Sequence, residues 1–258
     1  MIKNKIALIT GASSGIGEAC ALLFAEQGAK LILCARRYDR IQKLANELII
    51  QFGIEVLCLK LDVRNREDVK NTIESLSDNW KNIDILINNA GLASGLGKVH
   101  EGDIDDWEIM IDTNIKGLLY LTRSVVPLMV KNGGEGHVIN IGSIAGIAAY
   151  PNGGVYCGTK AAVRLISDGL RIDLVDTNIK VTNIQPGLAE TEFSLVRFHG
   201  DKNKAESVYQ GIDALKANDI AEIALFSATR PKHVQVCEIT VTPTHQASAQ
   251  NVFKSENL

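Results

Sequence analysis

No stretch of this chain approaches the roughly 18 consecutive apolar residues that a membrane-spanning helix needs. The basic-then-apolar start, Met1 to Thr10, runs directly into a glycine-rich turn, with no long apolar segment and no small-residue cleavage site. Neither export nor membrane anchorage is expected. An excess of one charge is also missing: 27 basic residues face 30 acidic ones, the net charge is −3, and no long single-sign run occurs. The electrostatic footprint of a nucleic-acid binder is absent, so nucleic acid is not an expected partner. Proline occurs only five times and glycine 22 times in 258 residues, against 46% hydrophobic and 22% charged residues. That balance excludes disordered, collagen-like and low-complexity classes and implies a packed core. Paired cysteines are lacking too. Cys20, Cys34, Cys58, Cys157 and Cys237 are odd in number, widely spaced and mostly among apolar neighbours, as buried free thiols of a reducing compartment are, so a cytoplasmic location is expected. The five histidines have no ligand-like spacing, and no metal site is expected.

What is present is alternation. Short β-rich runs at Lys5 to Thr10, Lys30 to Cys34, Glu55 to Leu61, Ile83 to Asn88, His137 to Ile141, Lys180 to Ile184 and Val234 to Val241 suggest about seven strands. Between them, apolar spacing near 3.6 predicts helices over Ile16 to Gln27, Arg40 to Phe52, Glu67 to Trp80, Trp107 to Val130, Tyr156 to Val175 and Asp219 to Ser227. Repeated βα units of this length imply an α/β fold with a parallel sheet covered by helices on both faces. No composition break, repeat or linker divides residues 1–258, so one domain is expected. The irregular stretch Pro186 to Gln210 reads as a lid over a site, at about 187–210.

Directly after the first strand, Thr10-Gly11-Ala12-Ser13-Ser14-Gly15-Ile16-Gly17 opens into a helix. Glycines here permit a tight turn and close backbone approach, and the helix N-terminus faces an anionic pyrophosphate. The rival reading is a plain glycine cap, which the position between strand and helix disfavours. The second strand ends Cys34-Ala35-Arg36-Arg37, without an acidic residue between Lys30 and Tyr38. A carboxylate there suits a ribose 2′-OH and an arginine a 2′-phosphate, so NADP(H) is favoured over NAD, with Arg36 the stronger candidate and Arg37 evenly balanced against a solvated surface residue.

Tyr156 and Lys160 lie four apart at the start of a predicted helix and share one face. A phenol with a pKa of about 10 is a poor base at neutral pH, and a neighbouring ammonium is expected to lower it. Such a pair is also compatible with a surface contact. Ser143 follows the fifth strand, where ligands of open α/β sheets bind, although a lone serine there is more often a loop residue or cap. Asn114 falls inside a helical run and by itself marks solvent or a kink.

Taken together and in order, these motifs, with Asp62 after the third strand, Asn88-Asn89-Ala90-Gly91 after the fourth and Pro186-Gly187 after the sixth, resemble the short-chain dehydrogenase/reductase family over essentially the whole chain. The resemblance implies a Rossmann-type doubly wound sheet and hydride transfer with a nicotinamide cofactor. Tyr156 matches the general acid/base and Lys160 the residue that lowers its pKa and holds the nicotinamide ribose. Ser143 matches the group that polarises the substrate oxygen, and Asn114 a support for a water-linked proton relay. The matching cofactor positions are Gly11, Ser13, Ser14, Gly15, Ile16, Gly17, Arg36, Arg37, Asp62, Val63, Asn88, Ala90, Gly91, Tyr156, Lys160, Pro186 and Gly187. The family also implies a homo-oligomer, a tetramer or dimer, built on the helix Trp107 to Val130 and the one beginning at Tyr156.

A narrower likeness is carried by Asp105-Asp106-Trp107-Glu108, Met110-Ile111-Asp112-Thr113-Asn114 and Thr191-Glu192-Phe193-Ser194. These look like the NADP-dependent 3-hydroxy acid dehydrogenases, which act on serine, L-allo-threonine and malonic semialdehyde types of substrate. Such small molecules carry a carboxylate, for which Arg197 in the lid is the candidate partner, with lid anchorage or an oligomer contact as the rival role. Reduction of 3-oxoacyl thioesters or ketones on the same fold, and a non-catalytic NADP-binding sensor, are the alternative functions.

Overall fold

The first strand, β1 (Ile6–Thr10), is buried at every position, which is what a central strand covered on both faces requires. In the computed structural model, which describes residues 2–255, it is followed by α1 (Gly15–Glu26), β2 (Lys30–Ala35), α2 (Tyr38–Phe52), β3 (Val56–Lys60), α3 (Arg66–Glu74), α4 (Asp78–Lys81) and β4 (Ile83–Asn88). The second half runs α5 (Ile104–Ile111), a π-helical turn at Asp112–Gly117, α6 (Leu118–Lys131), β5 (Glu135–Ile141), a 3-10 turn at Ile144–Gly146, α7 (Gly154–Asp173) and β6 (Asn178–Pro186). Then come β7 (Ala189–Glu190), α8 (Phe193–Arg197), α9 (Lys202–Ser207), β8 (Leu215–Lys216), α10 (Ala217–Ala228) and β9 (Glu238–Val241).

Seven strands form one parallel sheet in the order β3-β2-β1-β4-β5-β6-β9, and β7 and β8 form a separate parallel pair. The fold is therefore the doubly wound Rossmann type. Side chains alternate strictly between its two cores, as the period of two demands. Ala7 and Ile9 join Leu31, Leu33, Phe24 and Ile220 under α1, α2 and α10, whereas Ile6 and Leu8 join Ile32, Val69, Leu121 and Val138 under α3 and α6. The chain reverses its winding between β1 and β4, and ligands of such sheets bind at the carboxyl ends of strands at this switch point.

Local differences from the sequence expectation have identifiable causes. The helix expected over Glu67 to Trp80 is broken at Ser75, whose hydroxyl donates to the Thr72 carbonyl (3.1 Å), and restarts at the cap Ser77. The helix expected from Trp107 begins at Ile104, because Asp103 caps it by accepting from the Asp105 amide (2.9 Å), and it contains the π turn. The last strand starts at Glu238. Residues 234–237 run beside β6 through irregular bonds, including Thr182 Oγ1 to the Val236 carbonyl (2.6 Å) and the Val181 amide to Gln235 Oε1 (2.9 Å). The stretch read as irregular, Pro186 to Gln210, contains β7, α8 and α9.

Candidate active site

The glycine turn is shaped by two left-handed residues, Gly11 (φ 66°) and Gly15 (φ 57°). At Gly17 the reason is close approach: a Cβ there would lie 2.5 Å from the Gly11 carbonyl oxygen and 2.5 Å from Asn89 Nδ2. The turn is strapped to the end of β4. Asn89 Nδ2 donates to the carbonyls of Thr10 (2.9 Å) and Gly11 (3.3 Å), and Thr10 Oγ1 accepts from the amides of Asn89 (3.0 Å) and Ala90 (2.9 Å). Ser14, the N-cap of α1, forms no side-chain cap, so the first amides of the helix have no side-chain acceptor.

These elements line a cavity of about 470 Å³ along the carboxyl ends of β1, β2, β4, β5 and β6. Its walls include Gly11, Ser13, Ser14, Gly15, Ile16, Arg36, Arg37, Asp62, Val63, Ala90, Gly91, Ser143, Tyr156, Lys160, Pro186, Gly187 and Arg197, all singled out in the sequence. Three others singled out there, Gly17, Asn88 and Asn114, are not on its walls. Gly17 acts through the turn. The Asn88 side chain is turned into the interior, where Nδ2 donates to Asn140 Oδ1 (2.9 Å) and Thr122 Oγ1 (3.2 Å). Asn114 is buried in the π turn, with Oδ1 accepting from the Leu92 amide (2.9 Å) and Nδ2 donating to the Leu92 carbonyl (2.8 Å) and Thr159 Oγ1 (3.0 Å). It thereby fixes the loop after β4 against α7.

Arg37, rather than Arg36, is the better-anchored guanidinium. Its Nε donates to Ser13 Oγ (3.1 Å) and its Nη2 to Ser14 Oγ (2.6 Å), tying β2 to the glycine turn. Arg36 is exposed at the cavity edge. Asp62 is held by Arg64 through hydrogen bonds of 2.6–3.1 Å, and that partner lowers its carboxyl below the usual range.

Tyr156 and Lys160 stand on one face of α7 and both line the cavity, but their electrostatics differ from the sequence expectation. Burial pushes the Tyr156 phenol well above its ordinary value, opposed by a hydrogen bond from Ser143 and by Arg197. Lys160 is not among the groups acting on it. Its Nζ donates to the Ile141 carbonyl (2.8 Å), and burial brings its own pKa down to about 8. Desolvation outweighs the expected pairing. Ser143 caps the 3-10 turn, accepting from the Ala145 amide (3.1 Å). Over this group lies α8. The Arg197 guanidinium packs 5.2 Å from the Tyr156 ring centroid, 5.5 Å from Tyr150 and 5.7 Å from Phe193, and Nη2 donates to the Tyr150 hydroxyl. Its buried Nε has no hydrogen-bond partner among the described residues.

A model of the family described as short chain dehydrogenase matches residues 5–201. This chain belongs to the short-chain dehydrogenase family. An NADP-dependent 3-hydroxy acid dehydrogenase of Schizosaccharomyces pombe is 44% identical over 256 residues, covering 99% of this chain and 98% of the relative. The NADP-dependent 3-hydroxy acid dehydrogenase YdfG of Salmonella typhi is 48% identical over 245 residues, covering 95% and 97%. Among solved structures, the closed form of a serine dehydrogenase complexed with NADP+ aligns with a TM-score of 0.91 at 47% identity, covering 96% of this chain and 99% of that one.

Four residues of this short-chain dehydrogenase cavity escaped the sequence reading. Asn89, like Thr113 and Glu192, carries no role of its own in the motif that contains it, and its place as the strap depends on the β1–β4 neighbourhood. Thr113, adjacent to Asn114, is buried on the cavity wall with a hydroxyl that has no partner among the described residues, and the π turn that places it leaves no periodicity signal. Tyr150 and Glu192 are recruited by contacts across 47 and 155 residues, to Arg197 and Arg37 respectively, beyond any local pattern.

Proposed function

We propose that this chain is an NADP-dependent 3-hydroxy acid dehydrogenase, interconverting a small 3-hydroxy acid and its 3-oxo form. The observation that carries the reading is the convergence, in one cavity, of the Tyr156 phenol, the Ser143 hydroxyl and an Arg197 guanidinium with an unpartnered buried Nε. The names of the relatives, all described as NADP-dependent or solved with NADP+, support it.

The residues fit such a cofactor. The Gly17 and Gly11 backbones leave no room for a Cβ, as a pyrophosphate-binding turn requires, and the Thr113 hydroxyl is a buried polar group on the cavity wall that lacks a partner. The turn residues Gly11, Ser13, Ser14, Gly15 and Ile16 would hold the phosphates, Arg36 and Arg37 the 2′-phosphate, Asp62 and Val63 the adenine end, and Ala90, Gly91, Lys160, Pro186 and Gly187 the nicotinamide half. When bound, the cofactor supplies the centre that gives or takes the hydride at nicotinamide C4.

The remaining chemistry belongs to the chain. A phenol whose pKa is raised by burial keeps its proton at neutral pH, so Tyr156 Oη is set to donate to a carbonyl oxygen in the reductive direction. Ser143 Oγ is a second donor for the same oxygen, and its hydrogen bond also counters the rise of the phenol. In the oxidative direction the proton must leave Tyr156, which Arg197 favours by its positive charge. Asn114 holds the loop that backs Gly91 and Lys160. Arg197 pairs with the substrate carboxylate over the Tyr156 ring, and the aromatic surround strengthens that pair by excluding water.

The same reading includes one domain over 1–258, with 187–210 as its lid, and a cytoplasmic location. It also includes a homo-oligomer built on α6 and α7, whose exposed Leu119, Leu165 and Ile172 are suited to such a contact and which light scattering would size. The decisive assay follows NADP reduction with L-serine, L-allo-threonine and 3-hydroxypropionate, and NADPH oxidation with malonic semialdehyde and acetoacetyl thioester, with Tyr156→Phe as control. Hydroxy-acid turnover abolished by Tyr156→Phe is expected. Turnover of the thioester alone would assign the chain to the thioester reductases, and tight NADP binding with no turnover would make it a non-catalytic sensor.

A further inference from the structure

Glu192 stands immediately before α8 on the cavity wall, and its carboxylate is shared by two guanidiniums: Arg37 Nη1 donates to Oε2 (2.6 Å) and Arg40 Nη1 to Oε1 (2.7 Å). The other donors of Arg37 bind Ser13 and Ser14 of the glycine turn. The cationic cluster at the end of β2 is thus filled by an anion from the segment that covers the cavity, at the place where a 2′-phosphate is recognised. Both arginines hold the Glu192 carboxyl down at about 2, so it is ionised throughout the working pH range. Carboxylate and phosphate are recognised by guanidinium through the same forked, charge-assisted bonds. Two such anions on one pair of arginines repel each other. The ion pairs are 40–50% exposed at their side chains, so each contributes little, which suits an exchangeable contact rather than a permanent strut. Arg36 lines the same cavity and, among the described residues, its guanidinium makes no hydrogen bond or ion pair, so it is available to a phosphate without displacement.

We propose that Glu192 is a cofactor-discriminating latch: its carboxylate occupies Arg37 and Arg40, and the 2′-phosphate of NADP competes with it for those guanidiniums. Phosphate entry and release of the chain before α8 from α2 are then one exchange. NAD, which lacks that phosphate, leaves the latch in place. The proposal rests on the NADP reading given above.

Isothermal titration calorimetry on the full chain, stripped of nucleotide, separates the two ideas. The ligands are NADP, NAD, 2′,5′-ADP and 5′-AMP. The proteins are wild type, Glu192→Gln and, as a charge control, Glu190→Gln, which removes the same charge two residues away from a carboxylate paired with Lys216. Glu192→Gln should tighten NADP and 2′,5′-ADP roughly fivefold, equivalent to about 1 kcal/mol, while NAD and 5′-AMP stay within about twofold. Glu190→Gln should leave all four within about twofold. Unchanged or weaker 2′,5′-ADP binding by Glu192→Gln overturns the latch, as does equal tightening by Glu190→Gln, which would show a general charge effect. A wild type that binds 2′,5′-ADP no better than 5′-AMP overturns the NADP reading itself, and the latch with it.

Discussion

Lys160 offers a test of the site that needs neither substrate nor cofactor. Its ammonium is buried, and its pKa falls from the usual 10.5 to about 8 because the charged form loses hydration. That gap corresponds to roughly 3 kcal/mol of unfavourable free energy for the charged form in the folded state. The folded-state value is depressed for a basic group, so the cost is fully present below pH 8, where folded and unfolded chains both carry the proton. As pH rises past 8 the folded chain releases its proton first, and the cost is relieved by the time the unfolded chain titrates near 10.5. Lys160→Met removes the titration. It also leaves the Ile141 carbonyl without its donor, a penalty of about 1–3 kcal/mol that does not vary with pH. Wild type should therefore gain about 3 kcal/mol relative to Lys160→Met between pH 7 and pH 11, measured by urea unfolding of nucleotide-free protein at fixed concentration and salt. A pH-independent difference, or one of opposite slope, would refute the claim that desolvation dominates at this lysine.

His137 tests the same reasoning at acid pH: buried on β5, with Nε2 against Thr182 Oγ1 (2.7 Å), its pKa falls to about 3. The unfolded chain binds the proton first as pH drops below 6.5, so wild type should lose roughly 3 kcal/mol relative to His137→Gln between pH 7 and pH 4, read from urea midpoints. Arg197→Met should raise KM for 3-hydroxy acids roughly 10- to 100-fold while KM for NADP stays within about twofold, as expected for loss of a charge-assisted bond to the substrate alone. Equal losses on an uncharged alcohol substrate would count against carboxylate recognition. Gly17→Ala should cost about 1–3 kcal/mol in denaturant unfolding and weaken NADP binding, because its Cβ would sit 2.5 Å from the Gly11 carbonyl oxygen; unchanged stability would mean that the turn yields easily.

The sheet was legible because each strand is a short apolar run separated by helical spacing, and strands such as β1, buried on both faces, have no polar alternation to confuse the reading. The glycine turn was legible for a related reason: its positive φ angles and the approach of Gly17 to the Gly11 carbonyl lie within eight residues, whereas its contact with Asn89 after β4 left no local signal. Asn88 shows where locality ends. An asparagine after a strand suggests a turn or a ligand, yet this one spans β4, β5 and α6 through Asn140 and Thr122, a network visible only once the strand order is known. The π turn in the expected helix Trp107 to Val130 was equally hidden, since one added residue in a turn leaves the apolar pattern on both sides intact.

The Tyr156 and Lys160 pair marks the boundary within the site itself. A spacing of four establishes a shared helix face, but pKa values depend on which neighbour claims each polar atom and how much water remains. Here the Ile141 carbonyl claims the ammonium and burial claims the phenol, so two groups expected to hold each other ionised are both biased toward their neutral forms. A neutral phenol is the form that can donate a proton, and a lysine near pKa 8 can change charge within the working range of an enzyme. The pair is thus responsive to any charge brought beside it. That responsiveness comes from the depth at which α7 packs against β6 and the 3-10 turn after β5, and residue spacing does not report it.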